Sequence, residues 1–437
     1  MKELRIGMLG LGTVARGVVS ILHTNGAEIE RRTGIALKLT RVATRTPGKT
    51  WGLNLDGVGI DDDLDGLVQD RAVDVVVELM GGLDPAERLL LAALRAGKDV
   101  VTANKALIAE RGLNLFDAAR IHRREICFEA AVAGAVPIVK AIRESLAANR
   151  IESIHGILNG TCNYILTEMR ERGLSFAATL AEAQTKGYAE ADPSFDVDGI
   201  DTAHKLAILA AIAWGTPPAF GSIHVEGIRQ IADSDIAWAE EMGFRIKLLA
   251  IAKERDQGLE LRVQPTLVAQ SSMVAQVDGV FNAVFVKGDH AGTTMYHGRG
   301  AGERPTASAV VADLVDLARN RNAGGAMRVP PLSVLPESLS PLPVHDIADL
   351  QCPYYVRLAV IDRPGVLADI TAILAQHGIS IDAIHQKGRS VAQEAVGLVL
   401  VTHDCLERAM QASLSAIERL RTVQGKPVFI RMEPGLT

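Results

Sequence analysis

A short apolar run, Leu4–Leu9, leads directly into Gly10-Leu11-Gly12-Thr13-Val14-Ala15, after which Val18, Ile21 and Leu22 recur at helical spacing. A strand that turns this tightly into a helix commits the chain to a β-α unit, and few patterns narrow the choice of folds as much. Gly10 permits the sharp turn, and Gly12 lets backbone N–H groups come close to a pyrophosphate at the helix N-terminus. Ala15 stands where the pattern often has a third glycine. The bland alternative is a glycine turn that only joins a strand to a helix. The next 120 residues favour the nucleotide reading. Ala36–Thr44 and VDVVVELM read as buried strands, and DVVTAN and EICFEAAV follow as two more. Between them DPAERLLLAALRAG reads as a helix with Asp84 as N-cap, Pro85 at its first position and Gly97 at its end. Alternating strands and helices of this length predict a doubly wound parallel sheet.

The remaining chain, within 437 residues, has room for two or three further domains. Residues 1–135 are assigned to a dinucleotide-binding domain, completed by a returning helix at 303–325. Residues 136–302 read as an α+β catalytic domain, with helical patterns at Leu174–Gly187, Asp201–Trp214 and Ser234–Ile251 and strands such as RIESIHGIL and LRVQPTLV. Residues 326–351 hold VPPLSVLPESLSPLP, whose five prolines suggest a linker. Residues 352–432 spell βαββαβ, a ferredoxin-like module that should fold on its own and be removable.

Composition removes several classes of function. Only 4% of residues are aromatic and the net charge is −6, which argues against base-stacking platforms and against a basic footprint for nucleic acid. The four cysteines (Cys127, Cys162, Cys352 and Cys405) are far apart, so a reducing compartment is expected. The uncharged stretch from Leu206 to Val225 is broken by Gly215, Pro217 and Pro218, which makes it a core helix and not a membrane span. No targeting segment is visible, and a cytoplasmic location is expected.

Three further constellations carry chemistry. After the second strand the chain reads Thr44-Arg45-Thr46-Pro47-Gly48-Lys49, with no acid for a ribose 2′-hydroxyl. Arg45 and Lys49 can instead meet a 2′-phosphate, so NADP is favoured over NAD; a solvated loop is the alternative. Gly187 opens GYAEADPSFDVDGID, which runs into a helix where Asp201 and Lys205 are four residues apart on one face. The pair reads either as a surface ion pair or as a lysine that passes a proton to an alkoxide; a calcium loop lacks its terminal Glu. Thr102 and Lys105 sit just past a strand's carboxyl end, where open α/β sheets bind ligands. Gly300 and Gly302, in Tyr296-His297-Gly298-Arg299-Gly300-Ala301-Gly302, supply N–H groups near another helix start.

Taken in order, GLGTVARGV, TANKALIA, FEAAVAGAVPI, ILNGTCNYIL, AQTKGYAEADPSFDVDGIDTAHKLAIL and GRGAGERPTASAV resemble homoserine dehydrogenase over roughly residues 1–325. The tail, with Asp362-Arg363-Pro364-Gly365-Val366-Leu367, is similar to an ACT regulatory domain. Without an aspartate kinase segment, the pattern resembles the monofunctional form. The resemblance implies NAD(P)H-dependent interconversion of L-aspartate 4-semialdehyde and L-homoserine in threonine and methionine biosynthesis. It implies Lys205 as proton donor, Glu190 and Asp201 as substrate ligands, and Lys105 between substrate and cofactor. Gly10, Leu11, Gly12, Thr13 and Val14 would cradle the cofactor. A monovalent cation, usually sodium, would bind at Glu129, Val132, Gly134 and Val136, three of them through backbone carbonyls. A homodimer or homotetramer is expected, with L-threonine as effector near Asp362, Pro364 and Gly365. Another NAD(P)-dependent amino-acid dehydrogenase, or an amino-acid sensor with a degenerate front, are the competing readings.

Overall fold

The computed structural model describes residues 2–49, 52–324, 328–386, 395–433 and 435–436. A six-stranded parallel sheet comes first: β1 (Glu3–Leu9), β2 (Ala36–Ala43), β3 (Gly59–Asp61), β4 (Val75–Glu78), β5 (Asp99–Thr102) and β6 (Ile126–Cys127), in the order β3-β2-β1-β4-β5-β6. Its order reverses between β1 and β4, so a crevice opens at the carboxyl ends of those two strands. All four residues of β4 are buried, because helices cover both faces. One face carries α2 (Leu64–Gln69), α3 (Ala86–Arg95) and α4 (Lys105–His122). The other carries α1 (Thr13–Thr33) and α11 (Glu303–Asn322), a helix from the far end of the catalytic region. Gly17 makes that last contact possible: a Cβ there would lie 2.6 Å from the Glu303 carbonyl and 2.7 Å from the Ala307 Cβ. The expected helix 303–325 ends two residues short of the described part, and residue 325 lies outside the described residues. Pro85 does not open α3 as first helical residue but occupies its capping position, so the helix starts at Ala86.

The catalytic region lays α5 (Ile138–Lys140), α6 (Gly160–Arg172), α7 (Phe176–Thr185), α8 (Ser194–Val197), α9 (Ile200–Trp214) and α10 (Asp233–Glu241) against a second sheet. That sheet includes β7 (Ile151–Ile157), β8 (His224–Val225), β9 (Phe244–Arg255), β10 (Gly258–Ala269), β11 (Phe281–Gly288) and β12 (Gly292–Arg299). The expected helix over Ser234–Ile251 is corrected here. Gly243 at φ +81° turns the chain after α10, and Ile246 to Ala252 continue as strand. Those residues, all apolar but Lys247, are buried on both faces of the strand, a pattern that periodicity alone cannot tell from a buried helix.

The C-terminal module contains β13 (Gln351–Cys352), β14 (Tyr354–Val360), α12 (Val366–Gln376), β15 (Ile381–Gln386), β16 (Val396–Thr402), β17 (Cys405–Leu406), α13 (Glu407–Ile417) and β18 (Val423–Glu433). It is not a tethered appendage. Strand β18 pairs in parallel with β10, Thr266 facing Arg431, so one sheet of ten strands runs through catalytic region and module alike. One face of the module packs on its own helices through Tyr354, Val356 and Leu358. Its other face, with Tyr355, Val399 and Ile430, joins the catalytic core. The proline-rich stretch is likewise pinned: Leu259 N–H donates to the Pro343 carbonyl at 2.8 Å and His345 N–H to the Leu259 carbonyl at 2.9 Å. A tail removable without consequence is therefore incompatible with the structure. Among the described residues no helix is long and apolar enough to cross a membrane.

Candidate active site between two domains

At the carboxyl end of β1 the chain turns through Gly10 at φ +94°, and Gly10 N–H donates to the Ala43 carbonyl at 2.9 Å. A side chain here would be strained and would meet Met80 and the Leu79 carbonyl. Leu11 is buried, whereas the space before Gly12 is open, with nothing within 4 Å of a Cβ built on it. Gly12 caps α1 without a side-chain bond, and the first turn, with Thr13 and Val14, has no acid. Its N–H groups are thus free to face an anion. A second uncapped helix start lies beside it. Gly302, at φ +121°, opens α11, whose Glu303 is neutralised by Arg16 at 3.0 Å. Gly300 cannot carry a side chain, since a Cβ would fall 2.0 Å from the Asn282 Nδ2.

Arg45 and Lys49 are exposed past β2. The one acid paired to the end of that strand, Asp61 opposite Ala43, is occupied by Arg41 at 2.9 Å. Thr102 donates to Glu78 at 2.7 Å, and the other Glu78 oxygen accepts the N–H groups of Met80 and Gly81 at 2.8 and 2.9 Å. Glu78 shapes two crevice loops, and the sequence analysis had not singled it out.

The two domains meet at Asp201. Lys205, on α9, donates to Asp201 Oδ2 at 2.7 Å and to the Leu158 carbonyl at 2.6 Å. Lys105, the first residue of α4, reaches Asp201 Oδ1 at 3.2 Å from the nucleotide-binding side. Asn159 caps α6 with its oxygen and gives its amide to Asp201 at 2.9 Å and Asp196 at 2.8 Å. Burial pushes the Asp201 carboxyl up, but Lys205, Lys105 and Asn159 outweigh it and hold its pKa at about 2. Asp196 behaves oppositely: burial and the nearby Asp201 charge raise it. Two of the three donor positions of the Lys205 amine are thus occupied, by Asp201 and the Leu158 carbonyl. Asn159 and Asp196 were not among the expected site residues, although Asn159 follows the N-cap rule and stood within ILNGTCNYIL.

Other expected residues stand apart from this cluster. Glu190 is exposed after α7; its carbonyl accepts the Gln184 amide at 3.0 Å, and its carboxylate makes no contact with the cluster. Gly187, at φ +75°, ends α7 on that same open loop. Glu129 is 3% exposed and accepts the N–H groups of Val139 and Lys140 at 3.0 and 2.9 Å. Burial, only partly offset by those two bonds, raises its pKa to about 7, so a cation beside it would be welcome. The neighbouring loop of Val132, Gly134 and Val136 packs on the second glycine loop, and a Cβ on Gly134 would lie 2.6 Å from the Gly300 carbonyl. Carboxylate and backbone carbonyl oxygens are the donors that hard cations prefer. Among the described residues no group of three or more His, Cys, Asp or Glu side chains could hold a metal. In the C-terminal module Asp362, Pro364 and Gly365 form an exposed turn, with Gly365 at φ +96° opening α12.

Known proteins share this arrangement. Residues 10–129 match the family model described as homoserine dehydrogenase, NAD binding domain; residues 137–315 match homoserine dehydrogenase and 354–422 the ACT domain. The homoserine dehydrogenase of Pseudomonas aeruginosa is 46% identical over 433 residues, covering 99% of each chain. A crystal structure of a homoserine dehydrogenase from Thiobacillus denitrificans superposes with a TM-score of 0.94 at 49% identity, again over 99% of both chains. A hyperthermophilic archaeal homoserine dehydrogenase in complex with NADPH covers 72% of this chain and 97% of its own, at 28% identity and a TM-score of 0.62. A nucleotide crevice closed by two helix starts, with a lysine–aspartate–lysine bridge centred on the buried Asp201 across the domain seam, is thus joined to full-length similarity: the chain belongs to the homoserine dehydrogenase family, NAD(P)-dependent oxidoreductases.

Proposed function

We propose that the chain interconverts L-homoserine and L-aspartate 4-semialdehyde, with NADP preferred and NAD accepted, and that Lys205 carries the proton. The Lys105–Asp201–Lys205 bridge supports this above all, because it puts an ammonium donor at the seam where substrate and cofactor would meet. The nicotinamide, when bound, exchanges hydride with the substrate carbon. The protein's part is to place and protonate. Lys205, held by Asp201 and the Leu158 carbonyl, directs its remaining proton at the substrate oxygen. Asp201 holds both lysines in place, and Lys105 orients the carboxylate end of the substrate. Glu190 would join only by a movement of its loop towards the substrate amine.

Arg45, with Lys49, is proposed to hold the 2′-phosphate, supported by the engagement of Asp61, the acid opposite that strand end, with Arg41. Glu129 with the carbonyls of Val132, Gly134 and Val136 is proposed to hold sodium, and L-threonine to bind at the turn of Asp362, Pro364 and Gly365. The decisive experiment is homoserine-dependent NADP reduction by wild type and Lys205→Ala. The variant should lose at least about 10²-fold in kcat while binding NADP as before. Near-normal turnover would return Lys205 to the role of a structural ion-pair residue.

A further inference from the structure

At the opposite end of the first sheet from the glycine loops, by the amino ends of β5 and β6, lies a cavity of about 370 Å³. Five cations and three carboxylates line it, a net charge of +2. The carboxylates are already engaged. Asp316 pairs with Lys140 and with Arg319 at 3.5 Å, Glu144 pairs with Arg328 and with Arg143 at 3.4 Å, and Glu125 accepts the Asn320 amide at 2.8 Å. What remains is positive. The Nε atoms of Arg124 and Arg143 are buried without a hydrogen-bond partner among the described residues, and the Arg143 side chain is only 10% exposed. A buried guanidinium donor left unpaired is costly, and two in one cavity mark a place where an acceptor belongs.

We propose that this cavity is a binding site for a small dianion, a phosphate monoester or a dicarboxylate, held by Arg124 and Arg143. The ligand's two negative charges match the net charge of the lining, and guanidinium groups favour phosphate and carboxylate oxygens geometrically. The site is distinct from the crevice that takes the cofactor. It reaches the rest of the molecule through Lys140, whose side chain lines the cavity and whose backbone N–H holds Glu129 at 2.9 Å.

The test is thermal unfolding and calorimetric titration of the full chain with inorganic phosphate, with succinate, and with chloride at matched ionic strength. Saturable binding of phosphate alone would identify a phosphate-type ligand, and of succinate alone a dicarboxylate; either supports the site. Arg124→Gln and the double variant Arg124→Gln/Arg143→Gln should weaken that binding at least about tenfold while homoserine turnover persists. Arg45→Ala should leave it intact, which separates this cavity from the cofactor's phosphate position. Arg124→Gln alone keeps the question open to refutation if the double variant fails to fold. An effect of chloride equal to that of the dianions, binding that survives Arg124→Gln unchanged, or binding lost in Arg45→Ala would each overturn the proposal.

Discussion

Arg431 tests whether the C-terminal module is structurally one with the catalytic region. This residue of β18 is 2% exposed and donates two hydrogen bonds to Glu407 at 2.7 Å and two to Glu226, at 2.8 and 2.9 Å. Glu407 belongs to the module and Glu226 to the catalytic region, so one guanidinium joins the two. Arg431→Met preserves the stem but strands two carboxylates. Glu407 is itself 2% exposed, with Tyr354 and Gln411 left to donate to it among the described residues, whereas Glu226 is about one-third exposed and can recover water. Removing one partner of a buried pair costs about 3–5 kcal/mol, and most of that should come from the Glu407 side. Guanidinium unfolding followed by far-UV circular dichroism should show that loss in a single transition. The double variant Arg431→Met/Glu407→Gln should regain part of it, since no buried charge is then left alone. A loss below about 1 kcal/mol, or a separate early transition confined to the module, would refute the account of a shared sheet.

Three further outcomes follow from the same geometry. His155 is buried, and that burial, with Lys253 nearby, lowers its pKa to about 3. The unfolded chain therefore binds a proton that the folded one refuses, and stability should fall by about 1.4 kcal/mol per pH unit as pH drops below about 6.5; His155→Gln should flatten that slope in urea melts between pH 6.5 and 4. Arg45→Ala should weaken NADP binding roughly ten- to 150-fold and leave NAD nearly unchanged by fluorescence titration, whereas equal losses would make Arg45 an ordinary loop residue. Gly365→Asp should abolish any inhibition by threonine and spare basal turnover, and inhibition that persists in the variant would move the effector site elsewhere.

The parts of the fold and site legible in the sequence were those encoded locally. Gly10 and Gly12 sit within one turn, and Asp201 and Lys205 within one helical turn, so spacing alone places them together. Lys105 meets Asp201 only because α4 and α9 cross at the domain seam, a contact no local pattern encodes. Glu78 and Asn159 were missed for a related reason: a buried carboxylate ending an apolar strand, or an asparagine capping a helix, looks structural until its partners are known. The strand over Ile246–Ala252 was misread because burial on both faces erases the alternation that marks a strand. The module's elements were readable from their own periodicity, yet its union with β10 was not. The clues were Arg262 and Arg431, charged residues in strands that turn out almost wholly buried, and burial is invisible in sequence.

The dependence of the first domain on α11 also has a consequence during synthesis. Roughly 175 residues separate β6 from the start of that helix, so at about 5–20 residues per second the ribosome needs roughly 10–35 s to deliver it. For that interval the nascent chain carries Ala15, Val18 and the notch at Gly17 on a helix with no partner laid across it. A message interrupted before residue 303 therefore yields an open sheet face that invites aggregation or chaperone capture, not a small nucleotide-binding protein.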